Sequence, residues 1–267
     1  MELIPTEVAD RVKATALELA VLAGHLVLYP SGLVSERRPR GPAAERDTPA
    51  RRPVVLLHGF VDNHSVFVLL RRTLARHGRE HVESLDYSPF TCDLRTAAER
   101  LGRLVEEIRE RTGQAEVDLV GHSLGGLIAR YYVQRLGGDT RVRTLVMLGT
   151  PHAGTAFGPL ADAHPLVRQM RPGSEVLREL AGPAPGVRTR FVSFWSDLDR
   201  VMVPVETAHL DHPDLITHNV RVSGIGHLAL PVHPAVAAGI LAALDDGDPA
   251  AGAAGTAGAA PGTDAVA

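Results

Sequence analysis

Gly121-His122-Ser123-Leu124-Gly125-Gly126 follows an apolar run at 117–120 and leads into a helical stretch at 127–136, placing one serine at a strand-to-helix junction. A serine on so tight a turn sits in a strained backbone conformation, and the residues two positions away on either side must lack bulk for the chain to fold back. Gly121 and Gly125 supply that room, and the turn presents the Ser123 hydroxyl as a nucleophile at the rim of a sheet. A hydroxyl is a weak nucleophile at neutral pH. It needs a histidine to take its proton and an acid to hold that histidine in the right tautomer.

The chain beyond the elbow must supply both. Of His209, His212, His218, His227 and His233, only His227 follows a strand directly on a glycine-rich turn, Ser223-Gly224-Ile225-Gly226, and precedes the last helix. A loop after a final strand returns there to the carboxyl edge of a sheet, which makes His227 the candidate base. His209 and His212 fall in a polar loop, and His233 beside Pro234 reads as a helix cap. The acid is Asp197 or Asp199, both at the end of the preceding strand. Asp199 is preferred, because Arg200-Val201-Met202-Val203-Pro204 suits a turn that aims its carboxylate at the histidine, and Asp197 reads as a loop anchor.

Acyl transfer also needs backbone N–H groups aimed at the developing oxyanion, each worth about 3 kcal/mol of transition-state stabilisation. The amide of Leu124, just after the nucleophile at a helix N-terminus, is one candidate. The amide of Phe60, after His58-Gly59 at the end of an apolar run, is the other. His58 and His122 lie inside these two motifs and read as hydrogen-bonding residues that shape the loops. Cys92, the single cysteine, reads as an inert thiol.

Such a constellation requires a sheet with ordered edges. Residues 53–57 are a continuous apolar run of the kind that forms a strand covered on both faces, and similar runs recur at 117–120 and 142–148; these read as parallel strands. Further strands are expected at 81–87, 189–195 and 218–222. A helix is expected over 93–111, with Leu94, Ala97, Leu101, Leu104, Val105 and Ile108 on one stripe, and another over 234–244 opened by Pro234. The alternation predicts an α/β fold with a doubly wound, mostly parallel sheet. The 267 residues suffice for one large α/β domain, and 45% hydrophobic with 22% charged residues excludes wholesale disorder and fibrous architecture. A net charge of −3 provides no field for a nucleic-acid backbone. One cysteine cannot form an internal disulfide or a thiolate metal site alone.

The chain divides into residues 1–52, an apolar helix and an Arg/Pro-rich linker; 53–246, the catalytic domain; and 247–267, an Ala/Gly-rich tail too poor in bulky residues to order itself. The apolar stretch 14–28 is broken only by Thr15, Glu18, Gly24 and His25. It reads as a helix docked on its own domain; the arginines that follow also suit peripheral contact with an anionic membrane surface, and a true span is the third reading. Glu2, Glu7 and Asp10 stand where a signal peptide would carry positive charge, so no cleavable signal is read and the expected location is the cytoplasm. Residues 153–187 form a long, apolar- and proline-containing connection, either a lid over the serine or a packing element.

Together the elbow, the His58-Gly59-Phe60 turn and Gly149-Thr150-Pro151-His152-Ala153-Gly154-Thr155 resemble the bacterial true lipases of the α/β-hydrolase superfamily, over residues 53–244. The order serine, aspartate, histidine is also theirs. The resemblance implies an α/β-hydrolase fold with a small lid or cap insertion, and ester hydrolysis with Ser123 as nucleophile, Asp199 as orienting acid, His227 as base, and Phe60 and Leu124 as oxyanion donors. It implies a small-molecule or lipid ester substrate and no cofactor. Calcium-dependent members carry an aspartate two positions after the histidine; Ala229 stands there, so the chain looks closer to the calcium-free lipases and no metal is expected. A short-chain carboxylesterase, a thioesterase or an acyltransferase would use the same triad, and a non-catalytic binding protein would keep the fold without the chemistry.

Overall fold

The computed structural model describes residues 6–28, 51–60, 62–87, 93–156 and 164–246. Cys92, the tail 247–267, the arginines at 37–46 and residues 157–163 of the long connection lie outside the described residues. The elements in chain order are α1 (Thr6–Leu28), β1 (Val54–Leu57), α2 (Val68–Arg76), β2 (Val82–Leu85), α3 (Leu94–Thr112), β3 (Val117–His122), α4 (Leu124–Arg135) and β4 (Val142–Leu148). They continue with α5 (Pro165–Gln169), α6 (Glu175–Ala181), β5 (Arg190–Ser196), β6 (Ile216–Val222) and α7 (Pro234–Asp245).

The strands form one six-stranded sheet in the order β2-β1-β3-β4-β5-β6, with every pairing parallel. The chain runs outward from β1 to β2, returns to β3 on the other side of β1 and then proceeds to β6. The winding therefore reverses between β1 and β3, and ligands of such sheets bind outside the strand ends at that reversal. Both the His58-Gly59-Phe60 turn and Ser123 lie there, because β1 ends at Leu57 and β3 at His122.

Continuous apolar runs become strands because both sheet faces are covered. Val55, Leu57, Leu119, Leu145 and Met147 pack with α3, α4, α5 and α6 on one face. Their alternating neighbours Val54, Leu56, Val120, Val146 and Leu148 pack with α2 and α7 on the other. Helix α3 buries the expected stripe and adds Ala98. It starts where the Asp93 carboxylate accepts the Thr96 N–H at 2.7 Å and stops at Gly113, whose φ of 70° few other residues adopt. At the amino ends of the strands, the wholly buried Arg79 donates to Asp118 in β3 and to Asp245 at the end of α7, each at 3.0 Å. That cluster fastens β3 and α7 at the sheet edge opposite the elbow.

The structure adds one helix, moves the start of another and bears on an alternative left open for residues 153–187. Helix α2 was not anticipated, and it buries Leu70 and Leu74 against the second core cluster. Helix α4 begins at Leu124 rather than 127, straight from the elbow. In the long connection, Leu166, Val167, Met170, Val176, Leu177 and Leu180 are buried in the first core cluster, so the described part of it is packed against the body of the domain. No helix among the described residues is long and apolar enough to cross a membrane. Helix α1 lays Leu17 and Val21 against the second core cluster.

Candidate active site

Ser123 is the one non-glycine among the described residues with positive φ (52°, ψ −118°). Such a conformation costs about 1–3 kcal/mol and persists only where its surroundings impose it. Here they do. The Ser123 N–H donates to the Leu148 carbonyl at 2.8 Å, and the Ser123 carbonyl accepts the Gly126 N–H at 3.1 Å and the Thr150 hydroxyl at 3.2 Å. The glycines are needed for space: a Cβ on Gly121 would stand 2.6 Å from the Gly126 backbone, and one on Gly126 would stand 1.9 Å from Thr150 Oγ1.

His227 Nδ1–H donates to Asp199 Oδ2 at 2.7 Å, and both side chains are almost wholly buried. The second oxygen, Oδ1, accepts the N–H groups of Val201 at 2.8 Å and Met202 at 2.9 Å. The turn after Asp199 thus serves the carboxylate with its own amides. Burial alone would raise the Asp199 carboxyl, but the charge and hydrogen bond of His227, with the two amides, outweigh it and hold the group below its ordinary value. Asp197 points elsewhere: it pairs with Arg221 at 2.7 Å, whose guanidinium lies over the Trp195 ring. Of the two aspartates at the end of β5, the structure brings only Asp199 to the histidine.

The other histidines have structural occupations. His233 caps α7, its Nδ1 accepting the Ala235 N–H at 3.3 Å. His212 donates through Nε2 to the Gly182 carbonyl at 3.0 Å. His152, in the turn after β4, is driven well below its ordinary value by burial and then by the charges of Arg130 and His209. His58 donates from Nδ1 to the Gly59 carbonyl at 2.9 Å and stacks on the Tyr87 ring at 4.2 Å. The Tyr87 hydroxyl donates to the His58 carbonyl, so the turn after β1 is held from its flank. His122 donates from Nε2 to the His227 carbonyl at 3.2 Å, and its Nδ1 lies 3.5 Å from Asp62 Oδ2. The elbow and the histidine loop are therefore tied directly to each other.

Gly59 lets the turn after β1 approach the elbow closely. A Cβ there would lie 3.5 Å from Ser123 Cβ and 3.3 Å from His122 Nδ1, so the residue preceding Phe60 is in contact with the elbow. The Leu124 amide opens α4, where the helix dipole favours negative charge. Gly149 completes the enclosure: a Cβ on it would meet His227 Nδ1 at 2.9 Å and Asp199 Oδ2 at 3.1 Å. Asp62 and Tyr87 escaped the sequence reading, since nothing local marks a residue whose partner lies in another loop. Among the described residues no group of three or more His, Cys, Asp and Glu side chains gathers to hold a metal ion.

A strained serine on a strand-to-helix turn and a carboxylate-oriented imidazole on a loop tied to that turn through His122 make a chemically specific arrangement, and known proteins share its fold. A family model described as α/β hydrolase fold matches residues 52–182. A triacylglycerol lipase of Burkholderia plantarii is 31% identical over 160 residues, covering 57% of this chain and 42% of that protein. The chain spans less than half the length of the curated relatives it matches. Lipase B of Aspergillus fumigatus superposes with a TM-score of 0.63 at 16% identity, over 73% of this chain and 52% of the other. The mature form of a Bacillus licheniformis lipase does so with a TM-score of 0.61 at 17% identity, over 75% and 95%. The chain has the α/β-hydrolase fold and is similar to lipases and esterases of that fold.

Proposed function

We propose that the chain is a serine hydrolase of carboxylic esters, lipase-like on acylglycerols or other lipid esters, acting through an acyl-enzyme. The observation that carries this reading is the 2.7 Å hydrogen bond from His227 Nδ1 to Asp199, which leaves Nε2 as the proton acceptor on a loop that His122, the neighbour of Ser123, holds by the His227 carbonyl. In the reaction His227 Nε2 takes the Ser123 proton as Oγ bonds to the ester carbonyl carbon, and the carbonyl oxygen becomes an oxyanion held by the Phe60 and Leu124 N–H groups. The C–O bond to the alcohol then breaks, and His227 returns the proton to the departing oxygen. Water enters, gives its proton to His227 and attacks the acyl carbon. Collapse releases the carboxylic acid and restores Ser123. Asp199 stays ionised throughout, in keeping with its lowered value.

The named lipase relative supports a lipid ester as substrate. Hydrolysis of a p-nitrophenyl ester series from short to long acyl chains, with and without emulsified triglyceride, tests it. Turnover of long-chain esters and triglyceride, abolished in Ser123→Ala, is expected. Turnover confined to short, soluble esters would replace the lipase reading by a carboxylesterase, and activity surviving in Ser123→Ala would remove the nucleophile.

A further inference from the structure

Helix α1 lies outside the segment that the hydrolase family model matches, yet it reaches the candidate base. Its inward face is spaced as a helix requires: Ala14 is buried, Leu17 and Val21 rest on the second core cluster, and Glu18 falls on the same side. Leu19, on the opposite side, is 62% exposed, and Leu22, on the flank, is 43% exposed. A carboxylate set in an apolar stretch of helix, as Glu18 is in residues 14–28, ordinarily turns to water. Glu18 instead reaches inward, where Oε1 accepts the Ala229 N–H at 2.9 Å and Oε2 accepts the Leu228 N–H at 3.2 Å.

These are the two amides that directly follow His227. Gly226, directly before it, is the opening that admits the carboxylate: a Cβ there would stand 2.3 Å from Glu18 Cδ and 2.6 Å from Oε1. The His227 backbone is thereby held from three directions, with His122 on its carbonyl, Asp199 on its ring and Glu18 on the amides beyond it. Hydrogen bonds from N–H to an ionised carboxylate are roughly twice as strong as neutral ones. A cavity of about 270 Å³ between α1 and the acid turn, bounded by Ala14, Glu18, Asp199 and Gly226, puts the same carboxylate at the rear of the acid–base pair.

We infer that Glu18 is a positioning residue for His227, and that α1 belongs to the catalytic apparatus by fixing the loop that carries the base. The inference rests on the reading of His227 as base, and its physical core is that removing Glu18 frees the loop while leaving Ser123, Asp199 and the substrate surface intact. A misplacement of about 1 Å costs on the order of 10²-fold in rate, so Glu18→Ala should lower kcat by about 10- to 100-fold with KM little changed. Glu18→Gln keeps one side-chain oxygen as acceptor and should recover a large part of that loss. Val21→Ala, which loosens the packing of α1 but leaves the carboxylate on the Leu228 and Ala229 amides, should lower Tm and leave kcat near wild type.

The decisive experiment combines ester kinetics, fluorophosphonate labelling and hydrogen exchange on the wild type and these three variants. In Glu18→Ala, faster exchange confined to the peptide containing Leu228 and Ala229, with kcat reduced and restored in part by Glu18→Gln, is expected. Unchanged exchange at that peptide, unchanged kcat, or an equal loss of kcat in Val21→Ala at matched Tm would overturn the inference. Absence of labelling in the wild type would instead overturn the hydrolase reading, and exchange at Leu228 and Ala229 would still decide whether Glu18 holds the loop.

Discussion

Gly125→Ala places a single methyl group between the two turns on which the account depends. A Cβ at Gly125 would stand 2.3 Å from the Leu57 carbonyl oxygen and 2.6 Å from that of His58, where contacts under 3.0 Å essentially do not occur. Both obstructing atoms are backbone, so no rotamer change relieves them, and the start of α4 must move from the end of β1 by at least about 0.7 Å. The end of β1 leads to the Phe60 amide, whereas the start of α4 carries Ser123 and Leu124. That displacement exceeds the roughly 0.5 Å within which a catalytic constellation must be held. By the scale of about 10²-fold for a 1 Å error, kcat/KM should fall by tens of fold to on the order of 10²-fold. Overpacking of this kind costs about 1–3 kcal/mol, which for a domain of this size lowers Tm by about 2–12 °C. Ester kinetics beside a thermal melt reads both quantities. An alanine variant that keeps wild-type kcat/KM and Tm would refute the argument that close approach of these turns builds the site.

Other consequences follow from particular contacts. Asp199→Asn removes the acceptor that fixes the His227 tautomer and should reduce kcat by about 10⁴-fold, whereas Asp197→Asn, which disturbs a pair with the exposed Arg221, should stay within a few fold of wild type; steady-state kinetics with one ester ranks them. Because the Asp199 carboxyl titrates below its unfolded value of about 3.9, its contribution to stability is fully present above that value and is lost as pH falls through the lower folded value. Unfolding free energies measured at several pH values should therefore show the wild type losing ground to Asp199→Asn only in that acid window, and a difference independent of pH would contradict the assignment. Arg79→Met strips the buried Asp118 of its 3.0 Å guanidinium partner, so urea unfolding should show a loss of about 3 kcal/mol with little change in KM.

The strand β1 was legible because burial on both faces writes an unbroken apolar run, β3 and β4 because theirs are broken only by Asp118 and by Arg143-Thr144 near the strand starts, and α3 because its stripe faces a single core. The edge strand β6 was shorter on paper than in space, since it is half-exposed and opens with the 58% exposed Ile216 ahead of polar neighbours. Helix α2 went unread because Leu70 and Leu74 are set among Arg71, Arg72 and Arg76 over only nine residues. Gly125 and Gly126 are poor helix formers, which hid the true start of α4; the elbow and its close packing override that preference. In the site, Ser123, Asp199 and His227 each sit on a turn whose local residues announce it. Glu18, Asp62 and Tyr87 do not, because their roles exist only after distant loops meet. Glu18 left one trace, as the single acid of the apolar stretch 14–28.

The most direct test is the identity of the atom that acquires an acyl-like group. Treated with a fluorophosphonate and mapped by peptide mass, the wild type should carry one adduct, on Ser123, which Ser123→Ala abolishes and His227→Ala slows by orders of magnitude. An adduct on another residue, or equal labelling in Ser123→Ala, would contradict the account.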